Sequence, residues 1–323
     1  MPVYLPRPCV LILLLPSLTV GWPLASAVAI DVGLDRQLFV DQALIDYREG
    51  VDLVLHPGAV HPGLMLAASM PWEGRGISLG GSVVFDPAEA LWKMWYTAQA
   101  ESSRICYATS ADGIHWQRPD LGAGDNVVLP QASWPSVMLR ASADEGCRYS
   151  MVCVEETQPT PVYASFTSPD GISWTRCGST HEGVGPITAA WDAGRRMCLA
   201  VYTPAETDGF ALAASTDLVD WSPLARLPIA GADTRTLPPR SMALLPLGAV
   251  CVGFPWRQDG IGLLTTRDLH TWRDPGFAEP VLAPSGGLTI PSTASSPVSH
   301  DGRLFLYYTV AGKDGRPTGI ALA

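Results

Sequence analysis

A seven-residue pattern occurs four times in this chain and constrains its fold more than any other feature. Each copy reads Ser or Thr, any residue, Asp, Gly or Leu, two further residues and Trp. The copies are Ser110–Trp116, Ser168–Trp174, Ser215–Trp221 and Thr266–Trp272. Their tryptophans lie 58, 47 and 51 residues apart. A repeat of about 50 residues, set among strand-like runs, predicts sheets arranged radially, as in a β-propeller.

Each copy stands between the third and fourth of four strand-like runs, which together make one antiparallel blade. A fifth set of runs begins at residue 294 and reaches residue 323 without a fifth copy of the motif. We therefore predict an all-β fold, a single five-bladed β-propeller over residues 28–323 with four-stranded antiparallel blades. Because an open blade leaves an unpaired edge, we expect an N-terminal strand to close the ring. Leu38–Val40 and Val51–Leu55 are the candidate segments.

The repeated motif has a structural interpretation. Its Asp carboxylate can accept backbone N–H groups in a tight turn between the third and fourth strands. Gly at the next position permits a positive φ, and the Trp ring can fill the gap between two blades. We therefore predict that the four Asp and four Trp residues stabilise the fold and take no part in chemistry.

The first 27 residues resemble a secretion signal. Arg7 gives a positive start, residues 10–20 are largely apolar, and Ala25-Ser26-Ala27 is a small-x-small cleavage site. A membrane anchor is the alternative, but Pro16 and Pro23 interrupt a run that is already short for a span. We predict a signal peptide over residues 1–27 and a secreted or periplasmic mature protein.

Composition excludes several classes of function. The formal net charge is −10 and no Lys/Arg-rich run occurs, which argues against nucleic acid as a partner. No later stretch is long and apolar enough to span a membrane. We predict no metal site and no cofactor, because the six histidines lack metal-ligand spacing and the cysteines form no CxxC pair. The sequence does not decide whether a calcium ion lies at the centre of the ring. We expect the protein to be a monomer.

Six cysteines remain once Cys9 is removed with the signal. Cys153, Cys198 and Cys251 lie in apolar runs at similar points of the repeat, so we expect small buried core residues there. Cys147 and Cys177 are the pair that could form a disulfide bond.

Several stretches resemble the propeller glycosidases of glycoside hydrolase families 32 and 43, and more closely a group of exported bacterial proteins similar to the family 32 N-terminal domain. The stretches are Leu38–Ile45, Val54–His56, Pro71–Glu73, Gly81–Asp86, Trp92–Tyr96, Tyr107–Trp116 and Asp125–Val128. The resemblance implies a five-bladed propeller acting on carbohydrate, with three carboxylates that point into the central funnel from successive blades.

Hydrolysis of a glycosidic bond needs a protonated carboxyl at the glycosidic oxygen and an ionised one at the anomeric carbon or its water. The Trp-Met-Asn-Asp-Pro and Arg-Asp-Pro signatures of family 32 are absent here. Asp86-Pro87 and Asp274-Pro275 contain the dipeptide, but we interpret both as turn residues.

Four acids precede predicted inner strands and are our candidate catalytic residues: Glu73, Asp125, Glu182 and Asp233. Glu73 and Glu182 are the leading acid/base pair, with Glu182 as the general acid. The candidate sugar-binding residues are Trp72, Arg75, Trp134, His181 and Arg240. For each of these residues a solvated loop position or a core position is the alternative interpretation.

Two functions from different classes fit this pattern. The first is an exported glycoside hydrolase acting on poly- or oligosaccharide. The second is a carbohydrate-binding or interaction propeller without catalysis, which the missing signatures favour.

Overall fold

The computed structural model describes residues 38–45, 47–80, 82–140, 145–156, 160–182, 185–203, 211–226, 229–230, 241–277, 279–292, 295–312, 315 and 317–323. The predicted signal peptide, Asp233 and Arg240 lie outside these residues. The described chain is nearly all β, with 24 strands and two short 3₁₀ helices at Pro71–Glu73 and Glu145–Cys147. None of the described helices is long and apolar enough to cross a bilayer.

The first blade has an inner strand in two parts, because the chain breaks its pairing between them. The strands are β2 (Ile77–Ser78), β3 (Val83–Asp86), β4 (Leu91–Gln99), β5 (Ser103–Ser110) and β6 (Val127–Pro130). Both β2 and β3 pair with β4, and the order outward is β4, β5, β6. The predicted fourth strand at His115–Arg118 is reduced to one bridge between Thr109 and Gln117. Residues 118–126 form a loop before the outermost strand resumes at β6.

The second and third blades have the predicted four antiparallel strands. The second contains β7 (Ala132–Leu139), β8 (Tyr149–Glu155), β9 (Val162–Ser168) and β10 (Thr175–Glu182). The third contains β11 (Ile187–Asp192), β12 (Met197–Tyr202), β13 (Ala211–Ser215) and β14 (Ser222–Arg226).

The fourth blade gains a strand that the sequence did not indicate. Its strands are β16 (Met242–Leu247), β17 (Val250–Arg257), β18 (Gly260–Ile261), β19 (Leu264–Thr266) and β20 (Trp272–Arg273). Outside β20 lies β15 (Ile229–Ala230), which pairs with it in parallel.

The fifth blade combines the end of the described chain with a segment from near its start. Its strands are β21 (Val298–His300), β22 (Arg303–Phe305), β23 (Tyr307–Ala311), β24 (Pro317–Leu322) and β1 (Leu66–Ala67). Strand β1 pairs antiparallel with β24. The candidate closing segments Leu38–Val40 and Val51–Leu55 were wrong, because neither lies in a strand of the described chain.

The N-terminal segment instead crosses the fourth and fifth blades. The carboxylate of Asp41 accepts hydrogen bonds from Thr265 Oγ1 at 2.5 Å and Arg267 Nη1 at 2.7 Å, both in the fourth blade. Further along, backbone N–H groups of His61 and Met65 donate to β24 at 2.9 and 2.7 Å. Hydrogen bonds from side chains and from the backbone therefore anchor this segment, for which we predicted a strand.

Five buried apolar clusters hold the blades together, one in each gap between neighbouring blades. The gap between the fifth and first blades contains Tyr307 and Ile320 with Ile77 and Trp92. The other four gaps have clusters of the same kind. Because the fifth blade packs on both the fourth and the first, the apolar core is continuous around the ring.

The four repeated turns have the structure that the motif predicts. In the first, Asp112 Oδ1 accepts the N–H groups of Ile114 and His115 at 2.8 Å, and the other three turns repeat this arrangement. Each Trp packs in a different gap between blades. Cys153, Cys198 and Cys251 are buried as predicted, and Cys147 and Cys177 are free thiols, so the disulfide between them is not formed.

Candidate functional site

The blade topology separates two faces of the propeller. From the inner strand to the fourth, neighbouring strands of a blade run antiparallel, and the one parallel pair among the described strands is β15 with β20 at the outer edge of the fourth blade. The starts of the inner strands, the turns between second and third strands and the ends of the outermost strands therefore lie at one face, which we call the upper face. The repeated turns join third to fourth strands and lie at the opposite face. Because the candidate carboxylates were predicted to precede inner strands, they are expected on the upper face.

Glu73 lies on the upper side of the first blade, just before the inner strand, but its side chain is completely buried. Its Oε1 accepts hydrogen bonds from Tyr96 OH and Arg118 Nε, both at 2.7 Å. Its Oε2 accepts the N–H groups of Ser69 and Met70 at 2.7 and 3.0 Å, and Arg118 Nη2 at 3.1 Å. Five donors therefore surround this one carboxylate.

These donors decide the ionisation of Glu73. Burial alone would raise its pKa, but the hydrogen bonds from Arg118, from the two backbone N–H groups and from Tyr96 outweigh burial and hold the pKa below its ordinary value of 4.5. Glu73 is thus a carboxylate at neutral pH, which suits a base or nucleophile and not a proton donor.

Trp72 belongs to the same network through Asn126. The indole Nε1 of Trp72 donates to Asn126 Oδ1 at 2.8 Å, and Asn126 Nδ2 donates to Tyr96 OH at 2.8 Å. Asp125, the neighbour of Asn126, is half-buried, and its Oδ1 caps the start of β6 by accepting Val127 N–H at 3.0 Å. The structure thus brings Trp72, Glu73 and Asp125 into one neighbourhood.

The expected position of Asp125 was wrong. It precedes β6, the outermost strand of the first blade, and not the inner strand of the second. The loop at 118–126 explains this error. It interrupts the outermost strand of the first blade, so that β6 forms where the sequence indicated a connection between the first and second blades.

Trp134 has the most unusual backbone on the upper face. It lies near the start of β7 with a φ of +53°, a region that bulky side chains avoid. The pairing of β7 with β8 shifts register between Ser133 and Ser136, so Trp134 lies in a β-bulge, a feature that redirects a side chain. Trp134 is partly buried, and its side chain packs against the cluster between the second and third blades.

Neighbouring residues of the first blade stabilise this conformation. Thr97 Oγ1 accepts the N–H of Trp134 at 3.0 Å, and Ser82 Oγ accepts the N–H of Val137 at 2.9 Å. A Cβ atom on Gly80 would lie 2.8 Å from the Cα of Trp134, so only glycine fits there. Strain held from several sides in this way is typical of functional sites.

The remaining candidates are less defined. Arg75 is exposed beside Glu73, and its N–H donates to Gln99 O at 2.9 Å. His181 and Glu182 end β10, whose connection leads to the inner strand β11 at Ile187, as predicted. Their side chains lie outside what the structure describes, as do Asp233 and Arg240 entirely. Among the described residues, no three His, Cys, Asp or Glu side chains form a group able to hold a metal ion.

Sequence reasoning missed three members of the Glu73 network: Tyr96, Arg118 and Asn126. Their separations from Glu73 are 23, 45 and 53 residues. Tyr96 and Arg118 lie within runs that the sequence indicated as strands, so no local pattern distinguished them. A buried carboxylate is normally paired with a cation. An Arg on a neighbouring strand, such as Arg118, could therefore have been predicted as the partner of Glu73.

Comparisons with known proteins place the fold. No protein-family model matches the sequence, and no curated protein matches it. A solved structure described as a glycoside hydrolase superimposes with a TM-score of 0.58 at 15% identity, over 81% of this chain and 91% of that one. A family 117 glycoside hydrolase from the marine bacterium Zobellia galactanivorans gives 0.55 at 13% identity, over 80% and 88%. The fructofuranosidase of Schwanniomyces occidentalis gives 0.51 at 10% identity, over 80% of this chain and 57% of that one. The fold is that of propeller glycoside hydrolases.

Proposed function

We propose that this protein is a carbohydrate-active propeller that hydrolyses glycosidic bonds in a poly- or oligosaccharide. The observation that carries the proposal is the likeness of the fold to a glycoside hydrolase structure over 81% of this chain. A fold alone does not define an activity, so the residues of the upper face must supply the chemistry.

Trp134 supplies the sugar-binding surface in this proposal. A partly buried indole ring, fixed by a bulge at the start of an inner strand, would offer the exposed part of its apolar face to the C–H groups of a sugar ring. Pre-organisation of the ring lowers the entropy lost on binding. Trp72, Arg75, His181 and Arg240 are the further proposed contacts.

Glu182 is the proposed general acid, and it protonates the glycosidic oxygen as the bond to the anomeric carbon breaks. Water adds to the anomeric carbon and loses its proton to an ionised carboxylate. Glu73, Asp125 and Asp233 are the proposed carboxylates for that role. Glu73 meets its ionisation requirement, but Arg118 and Tyr96 enclose it, so contact with a sugar requires them to release it.

The test is release of reducing ends from a panel of plant and algal glycans. We expect Glu182→Gln to lower the activity by a factor of at least about 100, since loss of a general acid typically costs 10²–10⁴-fold. Glu101→Gln is the matched control, an exposed residue in an upper-face turn, and should retain full activity. If Glu182→Gln works as well as the wild type on a glycan that the wild type cleaves, the assignment of the acid is wrong.

A carbohydrate-binding propeller without catalysis is the second candidate. The full enclosure of Glu73 favours it, because this carboxylate already has five protein donors and no exposed surface. Isothermal titration calorimetry with the same glycans separates the two functions. Binding without any release of reducing ends supports the second candidate.

Export and the monomeric state are parts of the same proposal. Cleavage after Ala27 would leave Val28 as the first residue of the mature protein. Intact-mass measurement of the protein recovered outside the bacterial cytoplasm, and light scattering of that material, test the two points. A mass that includes residues 1–27, or a dimer mass, would contradict them.

A further inference from the structure

Arg104 lies near the start of β5, at the upper face of the first blade, and its side chain is partly buried. Among the partly buried arginines that the structure describes, it alone has neither an ion pair, a side-chain hydrogen bond nor a ring contact. Its Nε is enclosed without a partner, which is unfavourable for a donor. The terminal Nη atoms are also unbonded within the described chain but are not enclosed, so they remain open to a ligand.

The pairing of β4 with β5 places Arg104 beside the Glu73 network. Arg104 lies opposite Ala98, and Cys106, two residues further along β5, lies opposite Tyr96. Because alternate residues of a strand share one face of the sheet, Arg104 is on the same face as Tyr96, whose hydroxyl donates to Glu73. The unpaired guanidinium group therefore belongs to the part of the upper face that carries the candidate carboxylate.

A second unpaired arginine lies across β4. The N–H of Arg75 donates to Gln99 O at 2.9 Å, on the side of β4 away from β5. Since neighbouring strands lie about 4.8 Å apart, the backbones of Arg75 and Arg104 are separated by about 10 Å, a gap that two arginine side chains can span. The side chain of Arg75 is exposed and has no ion pair within the described residues. One anion at the end of β4 is therefore within reach of both arginines.

These arginines adjoin the proposed sugar-binding surface. Thr97 Oγ1 accepts the N–H of Trp134 at 3.0 Å. Its neighbour in β4, Ala98, lies opposite Arg104. A sugar chain that contacts Trp134 can therefore extend over the end of β4 to Arg104.

The chemistry of the guanidinium group selects the ligand. Its N–H donors form a planar fork that matches the two oxygens of a carboxylate. We propose that Arg104, together with Arg75, binds the carboxylate of a uronic acid unit in the glycan. This inference rests on the proposed function and names its substrate class, an acidic polysaccharide. The net charge of −10 opposes long-range attraction, but salt at 0.1 M screens charges more than about 10 Å apart, so these short-range contacts decide recognition.

Isothermal titration calorimetry with oligosaccharides of galacturonic, mannuronic and glucuronic acid tests the inference. Each is compared with its methyl ester, which keeps the sugar and removes the charge. We expect the wild type to bind at least one oligouronate at least about tenfold more tightly than its ester, the usual effect of a hydrogen bond to a charged group. Arg104→Gln should lose this preference and bind the ester as the wild type does. Arg75→Gln should reduce the preference by a smaller factor, because water screens an exposed charge.

Arg303→Gln is the matched control, since Arg303 is an exposed arginine without an ion pair in the described chain, at the lower end of the fifth blade. It should keep the full preference, and circular dichroism establishes that each variant is folded. Equal binding of oligouronates and esters, or an undiminished preference in Arg104→Gln, overturns the inference and leaves the proposed function standing. Tighter binding of sulfated galactan oligosaccharides than of any oligouronate overturns the carboxylate as the ligand. Failure to bind any glycan contradicts the proposed function as well.

Discussion

The fourth position of the repeated turn is Gly in two copies and Leu in two, and all four take a positive φ. The angles are 76° at Gly113, 82° at Gly171, 70° at Leu218 and 63° at Leu269. Leucine tolerates this region poorly, so the choice between the residues must come from packing.

The neighbouring blade explains the choice. Trp95 Nε1 donates to Gly171 O at 2.7 Å, and Tyr307 OH donates to Gly113 O at 2.7 Å. A Cβ on Gly171 would lie 2.6 Å from the Trp95 ring. Val152 in β8 and Val201 in β12 correspond in the strand pairing to Trp95, and each faces a turn that contains leucine. Leu218 shares a core cluster with Val152, and Leu269 shares one with Val201. A large ring thus accompanies glycine, and a small side chain accompanies leucine.

We predict that Trp95→Val and Gly171→Leu compensate for each other. Trp95→Val should destabilise by roughly 3 kcal/mol through a cavity, and Gly171→Leu by roughly 1–3 kcal/mol through overpacking. The double variant reproduces the Val–Leu pair found elsewhere, so its loss should be smaller than the sum by about 0.5–3 kcal/mol. Urea denaturation of all four proteins measures this coupling. Strict additivity would contradict the packing explanation.

Among the strands, each inner strand forms one edge of its sheet. Each has a sheet neighbour on one side only, so the N–H and C=O groups on the other side lack a strand partner. Hydroxyl groups of the preceding blade meet this need. Ser136 Oγ donates to Ala189 O at 3.1 Å and accepts Ala189 N–H at 2.7 Å. Ser82 and Thr188 also donate to the inner strand that follows.

Ser136→Ala should therefore destabilise the protein by about 1–3 kcal/mol, since it leaves a buried N–H and C=O without partners. Ser150→Ala is the matched control. Ser150 is equally buried, but its hydroxyl has no hydrogen-bond partner within the described chain, so its loss should be close to neutral. Chemical denaturation compares the two variants. Equal losses would mean that the hydroxyl bridge contributes nothing specific.

The enclosed Glu73 gives the molecule a predicted response to acid. Since its folded pKa lies below the ordinary value of 4.5, the stability it contributes is fully present above that pH and is lost as pH falls through the folded pKa. Glu73→Gln leaves Arg118 largely buried without its partner, so it should lose about 3 kcal/mol at pH 7.

The difference in unfolding free energy between wild type and Glu73→Gln should narrow as the pH falls below about 4.5. Urea denaturation at pH 7, 5 and 3.5 measures it. A difference that stays constant over this range would show that the Glu73 carboxylate does not supply the stabilisation.

The sequence predicted the parts of the fold that local bonds define. Each repeated turn forms bonds within three residues, so four copies were enough to locate the blades. The N-terminal segment depends on contacts such as Asp41 with Arg267, 226 residues away, and no short pattern encodes them. The closing strand was therefore placed wrongly.

The same distinction applies to the candidate site. Glu73 was identified because it precedes an inner strand, and Trp134 was named as a candidate with a core position as its alternative. The enclosure of Glu73 depends on Arg118, which comes from the outer side of the blade. The position of Asp125 was predicted wrongly, because the loop at 118–126 leads into the outermost strand β6. The roles of Glu73, Asp125, Glu182 and Asp233 stay predictions.

For the molecule as a whole, we propose that the upper face of the five-bladed ring binds carbohydrate. The decisive measurement is binding to a glycan panel by the wild type and by Trp134→Ala, with circular dichroism to establish the fold of both. We expect the wild type to bind at least one glycan and Trp134→Ala to bind it at least about tenfold more weakly, through loss of the ring contact. Failure of the wild type to bind any glycan, or unchanged binding by Trp134→Ala, would contradict it.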